Sequence, residues 1–209
     1  MLKDALYNCA RLARTRQWSL LFYVLRNRWH NLDLSFVSVH DLGLSEDKSK
    51  FYSDSGGPDL DIVLRSLPIS HSDEALDAGC GKGGALLTLA RYPFARVDGF
   101  DISESLVNIA RENVRKAKVS NSSVFVADAS RFADLDRYTY LYMFNPFTAL
   151  VLKPFMDNVI ESIRRKPRKV TLVYRYPVDE PVILAVGFNK VCEFLHASHP
   201  FVIYEGGPR

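Results

Sequence analysis

Four glycines, Gly79, Gly81, Gly83 and Gly84, fall within six positions of the stretch "LDAGCGKGG", Leu76 to Gly84. A glycine in regular structure costs roughly 0.5 to 1 kcal/mol of backbone entropy, and what it supplies is positive φ and a backbone that a ligand can approach. Set between a strand and a helix, such a loop aims the free N–H groups of the helix start at an anion. Gly79, Gly81 and Gly84 satisfy G-x-G-x-x-G, whereas Gly79, Gly81 and Gly83 satisfy G-x-G-x-G, so the glycines by themselves leave the anion unidentified. Two carboxylates narrow the choice. Asp101, in "GFDIS", stands 22 positions after Gly79, where a strand-ending acid accepts both hydroxyls of a ribose. Asp128, in "VFVADAS", is placed to accept a hydrogen bond from the exocyclic amine of an adenine ring. Each has a plainer alternative: a helix cap for Asp101, which Ser103 can already fill, and a solvated strand-end turn for Asp128.

These residues need strands to carry them to one edge, and the alternation of patterns supplies the strands. "EALDA" reads as a strand, "GGALLTLARY" as a helix, "RVDGFDI" as a strand, "SESLVNIARENVRKAKV" as a helix and "SSVFVADA" as a third strand. Ser103 is the N-cap expected for the second of these helices, whose stripe of Leu106, Ile109, Ala110, Val114 and Ala117 lies opposite Arg111, Glu112, Arg115 and Lys116. A fourth strand follows in "TYLYMFNPF", then a helix in "KPFMDNVIESIRRK" with Pro154 in its first turn, and a fifth strand in "RKVTLVYRYP". Beyond Pro181 a short helix and two strands around "ASHP" are close enough to pair as a hairpin. The predicted fold is α/β, a Rossmann-like doubly wound sheet of about seven strands, mostly parallel, with an antiparallel C-terminal hairpin and an N-terminal helical appendage.

The appendage is residues 1–50 and the ligand-binding domain residues 51–209, with the boundary in "GLSEDKSKFYSDSGGPD". Apolar residues from Leu2 to about His30 recur three or four apart among Lys3, Arg11, Arg14, Arg16, Arg26 and Arg28, which predicts one or two amphipathic helices. The favoured reading is a lid packed on the domain with its charges in water. A basic helix resting on anionic lipid or a polyanionic substrate is the sharper alternative. After the boundary, "LDIVLRSL" has helical spacing and is stopped by Pro68.

A net charge of +3 does not call for a nucleic-acid partner, and none is expected. Cys9, Cys80 and Cys192 are far apart and odd in number, which suggests neither a disulfide framework nor a zinc site and fits a reducing, cytoplasmic setting. Neither a signal peptide nor a membrane span is expected, because "WSLLFYVL" is too short to cross and lacks a small-residue cleavage site. The five histidines show no metal-ligand spacing, so no metal is expected.

Taken in order, "ALDAGCGKGG", "VDGFDIS", "VFVADAS" and "YLYMFNPF" resemble the motifs of class I S-adenosylmethionine-dependent methyltransferases, over roughly Ser53 to Pro177. The resemblance implies S-adenosylmethionine as cofactor, with Asp77, two residues before the first glycine, near its methionine end. It also implies a ribose site at Asp101 with Ile102 and an adenine site at Asp128 with Ala129, beside the loop of Gly79, Gly81 and Gly83. "MFNPF" is similar to the D/N-P-P-Y/F element of amino-group methyltransferases, in which an Asn side chain and a backbone carbonyl accept from the target amine and an aromatic ring stacks on it. That implies catalytic roles for Asn145, Pro146 and Phe147, with Asn145 also facing the cofactor. This chain has one proline where the element has two, and the plainer alternative is a Pro-terminated strand with a core phenylalanine.

Tyr52 and Ser55 are candidates to close over the methionine carboxylate, and Arg175 with Tyr176 to line the acceptor pocket. His40, Asp41 and Asp179 are available as bases, but methyl transfer from a sulfonium depends mainly on positioning, and none is assigned. The implied function is methyl transfer to an N or O acceptor, whether a small molecule, a sugar, a lipid headgroup or a protein side chain. An NAD(P)-binding oxidoreductase would use the same glycines and Asp101 but gives no role to Asp128 or "FNPF". A non-catalytic cofactor-binding module is the other alternative.

Overall fold

Val170–Arg175 is a strand whose six residues are all buried, as a central strand covered by helices on both faces requires. It is β5 of a seven-stranded sheet in a computed structural model that describes residues 18–37, 54–195 and 199–208. The other strands are β1 (Glu74–Ala78), β2 (Arg96–Asp101), β3 (Val124–Val126), β4 (Tyr140–Phe144), β6 (Asn189–Phe194) and β7 (Phe201–Gly206). Their order across the sheet is β3-β2-β1-β4-β5-β7-β6. The first five run parallel, and β7 enters antiparallel between β5 and β6, so the expected terminal hairpin is present.

Alternation along each strand divides the core into two layers. Leu76, Leu141, Met143, Leu172 and Tyr174 pack with Phe155, Met156 and Val159 of one helix, α5 (Ala149–Arg165). Ala75, Val97, Tyr142 and Val173 pack on the opposite face with α2 (Pro58–Leu64), α3 (Gly84–Leu89) and α4 (Glu104–Lys116). A short helix, α6 (Glu180–Ala185), joins the α5 side through Ile183.

Ser103 caps α4 as expected, its Oγ accepting from the Leu106 N–H at 3.4 Å. The buried face is broader than the predicted stripe, because Val107 and Asn113 are also inside. Asn113 is a structural polar residue: its Nδ2 donates to the Asp33 and Lys82 carbonyls at 2.9 Å each, and its Oδ1 accepts from the Asp33 N–H at 3.0 Å.

Four expectations need correction. α5 begins at Ala149, so Pro154 lies inside the helix and not in its first turn. The carbonyl that Pro154 leaves without its N–H donor belongs to Leu150, in a first turn whose side chain is 76% exposed. β3 ends at Val126, and Asp128 stands two residues beyond it as the N-cap of a one-turn 3-10 helix, Ala129–Arg131. The glycine-loop helix is short, stopping at Leu89.

The fourth correction concerns the appendage. Residues 18–29 are helical (α1), but Trp18, Leu20, Phe22, Val24, Leu25 and Trp29 are exposed, and Tyr23 is the buried apolar residue of that stretch. Among the described residues of this helix Tyr23 is the buried one, while most of the expected apolar stripe lies in residues 1–17. Residues 1–17 and 38–53, including Tyr52, His40 and Asp41, lie outside the described residues.

Candidate functional site

The glycine loop joins β1 to α3 at the carboxyl end of the sheet, and it has the backbone that its composition suggests. Gly79, Gly81 and Gly83 have φ of 75°, 51° and 84°. At Gly79 two demands coincide, because a Cβ there would also lie 2.4 Å from the Cβ of Pro146. The turn after β4 therefore rests directly on the glycine loop, and this close approach is the part Pro146 plays.

Gly83 is the N-cap of α3 and offers no side-chain cap. Asp77 lies beneath the helix start, near enough to the Leu86 N–H for that group to pull on its carboxyl. Its Oδ2 is buried and has no partner. Burial pushes this carboxyl up to about 8 against the pull of the Leu86 N–H, with the nearby charges of Asp101 and Asp54 adding to the rise.

Asp101 ties the next strand to the loop. Its Oδ2 accepts from the Gly81 N–H at 2.9 Å and its Oδ1 from the Ser103 N–H at 2.9 Å. Burial raises its pKa, opposed by the N–H groups of Ser103, Gly81 and Ile102. The Asp101 carbonyl accepts from the Ala127 N–H at 3.0 Å, which carries the same edge on to Asp128. Asp128 is exposed, and its Oδ1 accepts from the Ser130 N–H and hydroxyl at 2.9 and 2.7 Å. Ile102 presents a 43% exposed side chain beside Asp101, while Ala129 is buried in the core layer of α5. Three neighbouring parallel strands thus bring Gly79, Asp101 and Asp128 to one edge.

On the other side of β1, β4 delivers Asn145. This residue has a φ of 39°, a left-handed conformation that asparagine tolerates better than most, and its Oδ1 is buried without a partner. Phe147 is 8% exposed, with its ring stacked 6.4 Å from Phe100 and tilted 5.8 Å from Phe155. Pro146 and the Phe147 ring edge both lie against Gly79, so the three residues of this turn sit beside the glycine loop. Arg175 ends β5, and Tyr176, with a φ of 57°, makes an edge contact to His199 at 4.7 Å.

Residues 54–57 cross above this edge. The Ser55 carbonyl accepts from the Tyr142 hydroxyl at 3.3 Å, and the Gly57 N–H donates to Thr88 Oγ1 at 3.0 Å. Asp54 accepts from the Tyr23 hydroxyl at 2.7 Å and from the Gly56 N–H at 3.0 Å. Burial raises the Asp54 pKa, and burial followed by Asp54 raises that of Tyr23. Asp54 and Tyr23 form a buried contact that no local motif announces, since they meet across 31 positions of chain. Lys82 was likewise missed as a structural residue: 3% exposed, it donates to Asp33 and Ser35 at 2.8 and 2.7 Å.

Residues 75–168 match the family model described as a methyltransferase domain. They form a methyltransferase domain of the class I fold. Among curated proteins, the chain is 31% identical over 156 residues to the 23S rRNA (uracil(1939)-C(5))-methyltransferase RlmD of Xylella fastidiosa (strain Temecula1 / ATCC 700964), covering 73% of this chain and 33% of that protein. It is 32% identical over 155 residues to the release factor glutamine methyltransferase of Chlorobaculum tepidum, covering 66% of this chain and 50% of that one. The chain thus spans a third to a half of the length of these relatives. Among solved structures, a SAM-dependent methyltransferase from Aquifex aeolicus superposes with a TM-score of 0.58 at 17% identity, over 70% of this chain and 89% of that one. An RNA methyltransferase from Salinibacter ruber, solved with S-adenosylhomocysteine, gives 0.55 at 16% identity, over 71% and 90%. At these identities the solved structures establish that the methyltransferase domain shares their fold.

Proposed function

We propose that the protein is an S-adenosylmethionine-dependent methyltransferase acting on an N or O acceptor. The observation that carries this reading is the continuous edge from the glycine loop through Asp101 to Asp128, tied by the Gly81 and Ala127 hydrogen bonds to Asp101. An adenosyl group laid across these three strand ends uses every one of these groups, and the nicotinamide reading leaves Asp128 and Asn145 without work.

The unpartnered Oδ2 of Asp77 supports the same cofactor, because a buried carboxylate oxygen beside the loop is suited to an ammonium donor. In this reading Asp77 holds the amino group of the cofactor's methionine, Asp101 the ribose hydroxyls, Ile102 the flank of the base and Asp128 its exocyclic amine. The cofactor supplies an electrophilic methyl on sulfur. The chain's own contribution is alignment, which is worth up to roughly 7 to 11 kcal/mol in a well-oriented reaction. Asn145 Oδ1 accepts from the acceptor's N–H or O–H and fixes its direction, and no side chain is assigned as a base.

The relatives' names give an rRNA uracil and a release-factor glutamine as acceptors, two different chemistries, so the acceptor class is argued from this chain's own site. Among the described residues no helix is long and apolar enough to cross a membrane, and the cytoplasm is the proposed location. Calorimetric titration with S-adenosylhomocysteine and with NADH tests the cofactor. The expected result is saturable binding of the first and none of the second, and the reverse would replace methyl transfer with hydride transfer. A radiolabelled-methyl screen over cell-extract fractions then tests turnover, since binding without any labelled product would leave a non-catalytic module.

A further inference from the structure

The register of the sheet makes Phe144, Arg175 and Phe201 direct cross-strand partners at the carboxyl end of β5. Residues so opposed share a face of the sheet. The guanidinium carbon of Arg175 accordingly stands 4.6 Å from the centre of the Phe144 ring and 5.1 Å from that of Phe201. A guanidinium held between two rings keeps its orientation, so little side-chain freedom is left to lose when it binds a ligand. Arg175 is 8% exposed, its Nη1 reaches the Ser55 carbonyl at 3.4 Å, and its Nε is buried with no partner. An unfilled buried donor carries a desolvation penalty that a bound acceptor oxygen removes. Arg175 also lines a cavity of about 400 Å³ shared with Leu20, Tyr23, Pro58, Asp54 and Asp59.

We propose that Arg175 anchors a carboxylate of the methyl acceptor in this cavity, so that the acceptor is an organic acid with one carboxylate on a short apolar body. The inference rests on the methyltransferase reading above. A guanidinium fork matches the two oxygens of a carboxylate bidentately. Asp54 and Asp59 on the other walls stand against a phosphate dianion or a nucleic-acid backbone, which would set several negative charges against a single guanidinium. Leu20, the Tyr23 ring and Pro58 supply the apolar wall. Asn145 follows directly on Phe144, the residue across from Arg175, so the anchor and the unpartnered Asn145 Oδ1 share one corner of the edge.

The carboxylate on Arg175 has two chemical sources, the acceptor and the cofactor's own methionine, and the experiment separates them. Protein saturated with S-adenosylhomocysteine is titrated with hexanoate and with hexanamide at constant ionic strength. Wild type is expected to bind the acid about tenfold or more tighter than the amide, and Arg175→Met to reduce that preference below about twofold. Arg175→Lys, which keeps the charge but not the fork, is expected to lose at least about threefold of the preference and decides the matter if the Met variant does not fold. All variants should bind S-adenosylhomocysteine within about twofold of wild type. Equal binding of acid and amide, or a preference that survives in both variants, would overturn the proposal. So would a loss of S-adenosylhomocysteine affinity in the variants with methylthioadenosine affinity unchanged, which would give Arg175 to the cofactor. Wild-type protein that fails to bind S-adenosylhomocysteine at all would remove the methyltransferase reading and this inference together.

Discussion

The two halves of the carboxyl edge use their polar groups differently. Under β1, β2 and β3 most are engaged with each other: both oxygens of Asp101 are taken by the Gly81 and Ser103 N–H groups, and Asp128 holds Ser130. At the ends of β4 and β5, Asn145 Oδ1 and Arg175 Nε are buried with no partner. The first half is a scaffold that holds its shape through its own hydrogen bonds, so a ligand meets preorganised groups there. The second half carries desolvated groups without partners, and in the proposed function it is the side that selects the acceptor. Asp77 belongs to both descriptions, lying under the start of the glycine-loop helix with its Oδ2 unfilled.

The largest expected effect breaks the scaffold half. Gly79→Ala places a Cβ at positive φ against Pro146 and should cost about 3 kcal/mol or more in chemical denaturation. Gly187 also has positive φ, at 93°, but a Cβ there would meet no atom within 4 Å, so Gly187→Ala should cost only about 1 kcal/mol. Equal costs would mean the contact between the two loops is not tight.

Next comes the pH dependence of Asp77. Because its folded pKa is pushed up to about 8, the native carboxyl stays protonated at neutral pH while the unfolded one ionises near 4. Its contribution to stability is therefore unchanged below about pH 4, falls as pH rises from there to about 8, and is constant above. A cofactor ammonium requires the ionised form, so S-adenosylhomocysteine affinity should rise by up to about tenfold per pH unit between roughly 6 and 8. Asp77→Asn should flatten that profile, and a wild-type profile that is already flat would detach Asp77 from the ligand.

Asp101→Ala should weaken S-adenosylhomocysteine binding by roughly 1 to 3 kcal/mol, measured by calorimetry. Asn145→Ala should leave that affinity within about twofold and lower turnover instead. If both variants lose both properties equally, the contrast between the halves is wrong. The smallest effect is Tyr23→Phe, which removes the hydrogen bond to Asp54 and should cost about 0.5 to 1.5 kcal/mol of stability.

The scaffold half was legible because each of its parts is local. β1 matches "EALDA" residue for residue, Ser103 caps α4, and the glycines announce their own φ. What was not legible depends on contacts between distant segments. Phe144 and Phe201 clamp Arg175 only because β7 inserts beside β5, and nothing near Arg175 in the chain implies it. Asn113 stood outside the predicted apolar stripe, and it is buried because the Asp33 segment packs over it. Periodicity gave the helix over 18–29 but not its buried residue, since Leu20 and Val24 are exposed and Tyr23 is buried against Asp54. Phe147 shows how a motif residue can also pack, its ring stacking on Phe100 and lying beside the glycine loop.

The central claim is that one adenosyl group lies along Gly79, Asp101 and Asp128. A crystal structure of the protein with S-adenosylhomocysteine tests it most directly. The account predicts ribose hydroxyls on Asp101, the adenine amine toward Asp128 and the methionine ammonium on Asp77 Oδ2. A nucleoside bound on any other surface, or one that leaves Asp101 untouched, would contradict it.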